Sequence, residues 1–215
     1  MQLNFSYDEE KDIDCLLLVG GGSTFQPGNR TKTYECLLAF TSEIDNRETV
    51  REFVRVFIKN NMIDPQGNIA TIQKNWDSIS DGFQKSAERV FGVSMTDAVT
   101  AYLTITRRYP YRLDKNYFYV SATNTNANAV AMHELWHFYT WRKFGREVES
   151  KIGAKTYGDI KEALTVLLNI ECPALMGSEI DKGYPQHQEL RSRIMDIWSK
   201  SKDIEEVWSK ALLSI

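Results

Sequence analysis

Apolar residues recur every three or four positions in several long stretches of the chain, which is the spacing that lets a helix bury one face. This spacing predicts helices over residues 48–60, 68–91, 126–144, 159–171 and 189–200. Shorter runs rich in aromatic and branched residues predict strands over residues 14–19, 34–40, 101–105 and 117–122. Together these elements predict an α+β fold with a small, mostly antiparallel sheet.

The length of the chain and the order of its elements predict one compact unit. At 215 residues the chain can bury one good hydrophobic core, and no linker rich in Pro, Gly and Ser divides it. We expect an N-terminal α/β part over residues 1–99 and a second part over residues 100–215. Within the second part, the strands over 101–105 and 117–122 are expected to form a hairpin-like pair.

Composition and charge exclude several classes of protein. The formal net charge is −3 with both signs interspersed, so no basic patch favours nucleic acid. No stretch approaches about 18 consecutive apolar residues, and the first residues lack the basic region and apolar core of a secretory signal. Three cysteines without Cys-x-x-Cys spacing indicate reduced thiols. We therefore expect a cytoplasmic protein without a membrane or nucleic-acid partner, and the oligomeric state stays open.

The segment from His133 to His137, with the sequence His-Glu-Leu-Trp-His, contains the strongest chemical signal. In an α-helix, residues four apart lie on one face, so the two histidines can direct ring nitrogens at one metal ion. Glu134 lies about 100 degrees off that face, where it can reach a water molecule held by the ion. Chance gives this pattern in roughly a few per thousand chains of this length. The motif therefore predicts a zinc site and favours a metallohydrolase.

The residues around the motif favour a well-formed helix. No Pro or Gly occurs over residues 126–144, and Leu135, Phe138 and Tyr139 form an apolar stripe beside the histidines. Gly145 supplies a stop at the C-terminal end. The alternative interpretation, two ordinary core histidines on an amphipathic helix, does not account for the glutamate between them.

A catalytic zinc site needs a third protein ligand, for which Glu162 is the best candidate. It lies in the helix predicted over residues 159–171, which follows a Gly-containing connection and can return antiparallel to the first helix. The alternative is a capping box in which Glu162 reaches back to a helix start at Asp159. Three further residues are candidate ligands: Asp159, Cys172 through its thiol, and His187, which is the third histidine of the chain.

With these residues the chain resembles the gluzincins, the zinc peptidase clan that includes the thermolysin-like enzymes. The resemblance covers roughly residues 100–190 and consists of the His-Glu-x-x-His motif, the Glu-Ala-Leu sequence that starts at Glu162, and a strand before the first helix. It implies a zincin-like catalytic core within residues 100–215. It also implies zinc bound by His133, His137 and Glu162, with Glu134 as the general base.

One position departs from the pattern of this clan. Many gluzincins carry an Asp four residues after the ligand Glu, where it orients a histidine, and Val166 stands at that position here. Support for the ligands is therefore expected from another residue, with Thr165 and Asn169 as the candidates.

The resemblance further implies a peptidase mechanism. Zinc would activate water and polarise a carbonyl, while Glu134 would take a proton from the water and pass it to the leaving amine. His187 or Tyr184 is late enough in the chain to stabilise the oxyanion. An extended peptide or protein substrate would pair with an edge strand, for which residues 117–122 are the candidate. The alternatives are a zinc-binding protein without turnover and a hydrolase of non-peptide amides or esters.

Overall fold

A computed structural model describes residues 1–21, 31–123 and 126–214 of the chain. The chain divides into two compact units. The sheet unit comprises Gln2–Trp76 and Asp97–Ala127, and the helical unit comprises Met1, Asp77–Thr96 and Asn128–Ile215. Each unit thus contains residues from both predicted parts, 1–99 and 100–215. Within the described ranges, no helix combines the length and the hydropathy required to cross a bilayer.

The sheet unit contains, among its described residues, a four-stranded sheet with the strand order β1-β2-β4-β3. The strands are β1 (Gln2–Ser6), β2 (Ala98–Thr104), β3 (Tyr111–Arg112) and β4 (Tyr117–Ser121). β2 pairs in parallel with both β1 and β4, and only the short β3 pairs antiparallel, with β4. The α+β class is confirmed, whereas the prediction of a mostly antiparallel sheet is wrong.

The predicted hairpin between the second-part strands is also wrong. β4 runs parallel to β2, with Tyr117 opposite Thr100, so the two strands are joined by a crossover and not by a tight turn. The connecting segment supplies β3, which pairs with the start of β4 on its other side. β4 therefore lies between two strands in the sheet order, which contradicts its predicted role as an edge strand.

The helices of the sheet unit include two segments that the sequence pattern assigns to strands. The predictions for residues 14–19 and 34–40 are wrong, because short apolar runs do not distinguish a buried strand from a buried helix. The first of these runs belongs to a helix whose start is capped by Asp8, the side chain of which accepts hydrogen bonds from two backbone N–H groups. The bounds are α1 (Glu9–Gly21), α2 (Lys32–Phe40), α3 (Arg47–Asn60) and α4 (Pro65–Asp77).

The Gly-Gly-Gly-Ser sequence of residues 20–23 predicts a flexible connection. Residues 22 and 23 lie outside the described ranges, whereas Gly20 and Gly21 belong to the end of α1. The helix predicted over residues 48–60 is confirmed by α3. The helix predicted over residues 68–91 is instead two helices, because the chain leaves helical hydrogen bonding after Asp77 and starts again at Ser80.

The core of the helical unit contains a cluster of buried aromatic side chains. Phe83, Phe91, Trp136 and Tyr139 are almost fully buried, and the ring centroids of Phe91 and Trp136 lie 5.0 Å apart. Such aromatic pairs add to the free energy gained from burial alone. The helices here are α5 (Ser80–Phe91), α6 (Ala127–Ile152), α7 (Ala154–Leu164), α8 (Leu168–Glu171), α9 (Pro173–Met176), α10 (Gln188–Ser201) and α11 (Ile204–Leu212).

Two details of these helices matter for the predicted site. α6 contains a break at Gly145, whose φ of 52° is not helical, so the helix that carries the histidines ends where the sequence predicts. The helix predicted over residues 159–171 begins earlier, at Ala154, and ends at Leu164. A 3₁₀ turn, Thr165–Leu167, then connects it to α8.

Candidate metal centre

The side chains of His133, His137 and Glu162 converge at one point in the helical unit. The Nε2 atoms of the two histidines lie 3.1 Å apart, and oxygens of the Glu162 carboxylate lie 3.4 Å from His137 Nε2 and 3.7 Å from His133 Nε2. A tetrahedral zinc ion with bonds of about 2.0–2.1 Å holds its ligand atoms about 3.3 Å apart. Both the spacing and the donor set, two imidazoles and one carboxylate, therefore fit a zinc ion.

The geometry of α6 places two of these three candidate ligands, and packing holds α6 in position. His133 and His137 lie one helical turn apart on the same face. Leu135, on the opposite side of the helix, and Trp136, on the flank of the histidine face, are completely buried. The Trp136 Nε1–H group donates a hydrogen bond to the carbonyl oxygen of Leu164, at a distance of 3.1 Å. This bond joins α6 to the end of α7, so the two helices that carry the ligands are fixed to each other.

Glu162 lies in the last turn of α7, not at its start. The N-terminal cap of this helix is Gly153, so the alternative of a capping box between Asp159 and Glu162 is wrong. Asp159 instead accepts hydrogen bonds from Lys155 and His187. The carboxylate of Glu162 is therefore free of a capping role and is turned towards both histidines.

Glu134 follows directly after the first histidine and is buried, with 5% of its surface exposed. Its Oε2 atom has no hydrogen-bond partner among the described residues. Burying a carboxylate oxygen without a partner is costly, so such atoms occur mainly where a reaction or a ligand requires them. The charges of His133 and Glu162 act on the Glu134 carboxylate, which therefore lies close to the converging side chains.

Asp181 orients His133, and the sequence pattern does not predict this residue. Its Oδ2 atom lies 2.5 Å from His133 Nδ1. The imidazole can therefore donate its Nδ1–H group to the carboxylate and keep Nε2 for a metal. Val166, at the position where gluzincins carry the orienting acid, is buried and apolar. The orienting carboxylate is thus present, but it comes from a loop much later in the chain.

Thr165 and Asn169, the candidates for this support, contact Asp181 and not the histidine. The Thr165 hydroxyl lies 2.8 Å from Asp181 Oδ1. The Asn169 side chain donates to the Asp181 carbonyl oxygen and accepts from its backbone N–H group, at 2.9 Å and 2.8 Å. Both residues therefore fix the position of the carboxylate that orients His133.

Arg191 completes the cluster around Asp181. This residue of α10 is only 3% exposed, and its guanidinium group donates to the Oδ1 atom and to the carbonyl oxygen of Asp181 at 2.8 Å and 2.5 Å. It also donates to Thr165 Oγ1 at 2.8 Å. A buried cation with several hydrogen bonds of this kind holds its partner in one orientation. The loop that carries Asp181 is therefore bound to α10 through Arg191 and to the 3₁₀ turn after α7 through Thr165.

The two histidines differ in their affinity for protons. Burial lowers the pKa of His133, but its hydrogen bonds to Asp181 and Glu162, together with the charges of Glu134 and Asp181, outweigh burial and raise the pKa to about 10. Burial, together with the nearby Lys161 ammonium, lowers the pKa of His137 to about 3. Without a metal, His133 therefore carries an additional proton and a positive charge at neutral pH, whereas His137 is neutral. A metal ion must displace this proton to bind.

The acids of the centre also differ in their protonation. Burial raises the pKa of Glu134 to about 7, although the charges of His133 and Lys161 oppose the change. Burial acts in the same direction on Glu162, but both histidines and the Lys161 ammonium hold its pKa well below the usual range. Burial also raises the pKa of Asp181, but the hydrogen bonds from His133 and Thr165 and the charges of His133 and Arg191 together outweigh burial and lower the pKa to about 2. The ligand and the orienting acid are therefore anions, and Glu134 can exchange a proton near neutral pH.

The other candidate residues lie outside this group of ligands. Within the described part of the chain, the metal-binding cluster does not include His187, Asp159 or Cys172. His187 is buried and its Nε2 atom lies 3.1 Å from Asp159 Oδ1, while the half-exposed Tyr184 packs edge-on against its ring at 5.8 Å. Asp159 lies one turn before Glu162 on α7. The role of His187 or Tyr184 as an oxyanion donor stays a prediction.

Comparisons of the chain with protein-family models, with curated proteins and with solved structures found no match. The resemblance to the gluzincins therefore depends on the motif and on the side chains that surround it, and the zincin-like fold stays a prediction.

Proposed function

We propose that the protein is a zinc-dependent hydrolase and that its substrates are peptides or proteins. The observation that carries this proposal is the combination of three ligand atoms at zinc spacing with the buried, unpartnered Oε2 atom of Glu134. A purely structural zinc site is closed by four protein ligands, whereas three ligands leave a position for water or substrate. The combination therefore favours catalysis over a structural role.

Each residue of the centre has a part in the proposed reaction. A zinc ion bound by His133, His137 and Glu162 would activate water and polarise a carbonyl group. Glu134 would accept a proton from that water and deliver it to the leaving amine, a role for which its raised pKa of about 7 is well suited. Asp181 keeps His133 in the tautomer that presents Nε2.

The substrate class follows from the resemblance and not from a pocket. In the gluzincins a zinc ion and one carboxylate base hydrolyse peptide bonds, and the same chemistry can hydrolyse other amides and esters. The two remaining alternatives are thus a hydrolase of non-peptide bonds and a zinc-binding protein without turnover. The unpartnered oxygen of Glu134 favours turnover, because a site that only binds zinc has no use for it.

The test is a comparison of wild type with Glu134→Gln. Both proteins are purified without metal-affinity resin, their zinc content is measured by mass spectrometry, and both are incubated with a library of fluorogenic peptides, amides and esters. We expect zinc in both proteins and a loss of activity of about 10²- to 10⁴-fold in the variant, because the general base is removed. Equal activity of the two proteins would refute the proposal.

A matched control separates this effect from a general change in α6. Glu147 lies in the part of α6 that follows the break at Gly145, is exposed, and forms an ion pair with Lys151 on the helix surface. Glu147→Gln should retain both zinc and activity. Activity of the wild type on esters but not on peptides would identify a hydrolase of non-peptide bonds. Zinc binding without any hydrolysis would identify a zinc-binding protein without turnover.

A further inference from the structure

Lys161 is a buried lysine next to the metal ligand Glu162. Only 3% of its surface is exposed, and its Nζ atom lies 2.8 Å from Glu162 Oε1. Lysine is almost never this deeply buried, since removing its charge from water is costly unless a partner compensates. Its ammonium is placed where it acts on the centre, because its charge also affects Glu134 and His137.

The position of Lys161 bears on how Glu162 can bind a cation. Glu162 Oε1 lies 3.4 Å from His137 Nε2, so this oxygen faces the ligand cluster, and the same oxygen accepts the hydrogen bond from Lys161. A hydrogen bond from a cation draws charge from a carboxylate and makes it a weaker donor to a metal. The ammonium also repels a divalent cation at this short range.

We infer that Lys161 is a positioning residue that acts through Glu162: its ammonium weakens the hold of the carboxylate on zinc and keeps the ion more electrophilic. The inference depends on the proposed function, since electrophilicity matters only if the zinc ion is catalytic. On this inference the buried ammonium of Lys161 tunes the zinc ion, whereas in a purely structural ion pair it would only hold Glu162 in place. Removing the charge should therefore strengthen zinc binding while it slows hydrolysis.

The opposite expectation follows if Lys161 only holds Glu162 in place. In that case its removal loosens a ligand, and zinc binding weakens. The sign of the change in zinc affinity therefore distinguishes the two roles, and it does so without any measurement of activity.

The experiment compares Lys161→Met, Lys161→Gln and Lys161→Arg with wild type. Methionine keeps the volume without the charge, glutamine keeps a hydrogen-bond donor without the charge, and arginine keeps the charge. The zinc dissociation constant is measured by competition with a chromophoric chelator, and kcat and KM are measured on a peptide that the wild type cleaves. Circular dichroism and thermal unfolding establish which variants fold, and either neutral variant is sufficient for the test.

We expect both neutral variants to bind zinc about tenfold more tightly or better, and to lose about tenfold in kcat with little change in KM. Lys161→Arg should resemble wild type. Lys155→Met is the matched control, because Lys155 is on the same helix but is exposed and pairs with Asp159, and it should change neither quantity.

Weaker zinc binding in the neutral variants, or wild-type affinity in both, would overturn the role of Lys161. A wild-type protein that binds no zinc would refute the proposed function and this inference together. If the wild type binds zinc but hydrolyses nothing, the proposed function fails alone, and tighter zinc binding in the neutral variants would still support the effect of the ammonium on Glu162.

Discussion

Replacing Asp181 by asparagine tests the arrangement that the structure adds to the motif. The Oδ2 atom of Asp181 lies 2.5 Å from His133 Nδ1, and its side chain is 7% exposed, so the hydrogen bond is short, charged and shielded from water. Loss of a partner of this kind typically lowers metal affinity by about 10- to 100-fold, which is about 1.4–2.7 kcal/mol. Because Asp181 is nearly buried, we expect a value in the upper half of this range.

The same substitution should also destabilise the metal-free protein. Arg191, which is 3% exposed, loses the charge of its carboxylate partner, although it retains the Asp181 carbonyl oxygen and Thr165. A buried donor that loses part of its partners costs about 1–3 kcal/mol. Zinc affinity should therefore be measured by chelator competition at a temperature where both proteins are folded, and stability should be measured separately by denaturant unfolding.

Asp159→Asn is the control for this experiment. Asp159 is also an acid paired with a histidine, His187, but it lies outside the ligand cluster. This variant should bind zinc as wild type does. Wild-type zinc affinity in Asp181→Asn would refute the reasoning, because it would mean that the orientation of His133 does not depend on the carboxylate.

Three further predictions concern the ligands, the pH dependence and the loop of Asp181. His137→Ala and Glu162→Ala should each lose zinc in mass spectrometry, and zinc retained in the second variant would exclude Glu162 as a ligand. Zinc must displace the proton of His133, whose pKa is raised to about 10. The dissociation constant of zinc should therefore rise about tenfold for each unit by which the pH is lowered between about 8 and 6, and a dissociation constant that calorimetry finds independent of pH would contradict this. Gly183→Ala should lower the free energy of unfolding by about 1–3 kcal/mol, because φ is +59° and the added Cβ would lie 2.6 Å from Arg191 Nη1; unchanged denaturant unfolding would contradict this.

Local patterns predicted some elements and failed for others for a physical reason. The helices over residues 48–60 and 126–144 have long, periodic apolar faces, and both were confirmed. The runs at residues 14–19 and 34–40 are short and mostly apolar, a pattern that fits either a buried strand or a buried helix. In the structure these runs are helical.

The sequence pattern does not predict whether neighbouring strands pair in parallel or antiparallel. Runs of aromatic and branched residues identify β2 and β4 as strands, but such runs do not distinguish parallel from antiparallel partners. The parallel register of Tyr117 with Thr100 depends on how the connecting segment folds back to place β3 beside β4. That arrangement is a property of the whole sheet.

The sequence by itself determined the pair of histidines and the glutamate between them, because the geometry of one helix fixes the relative positions of His133, Glu134 and His137. Only the tertiary structure decided that Glu162 faces these histidines instead of capping its helix, since this depends on where α7 begins and how it packs on α6. It also decided that Asp181 orients His133. Asp181 lies in a loop without periodic pattern, so only long-range packing brings its carboxylate to the site.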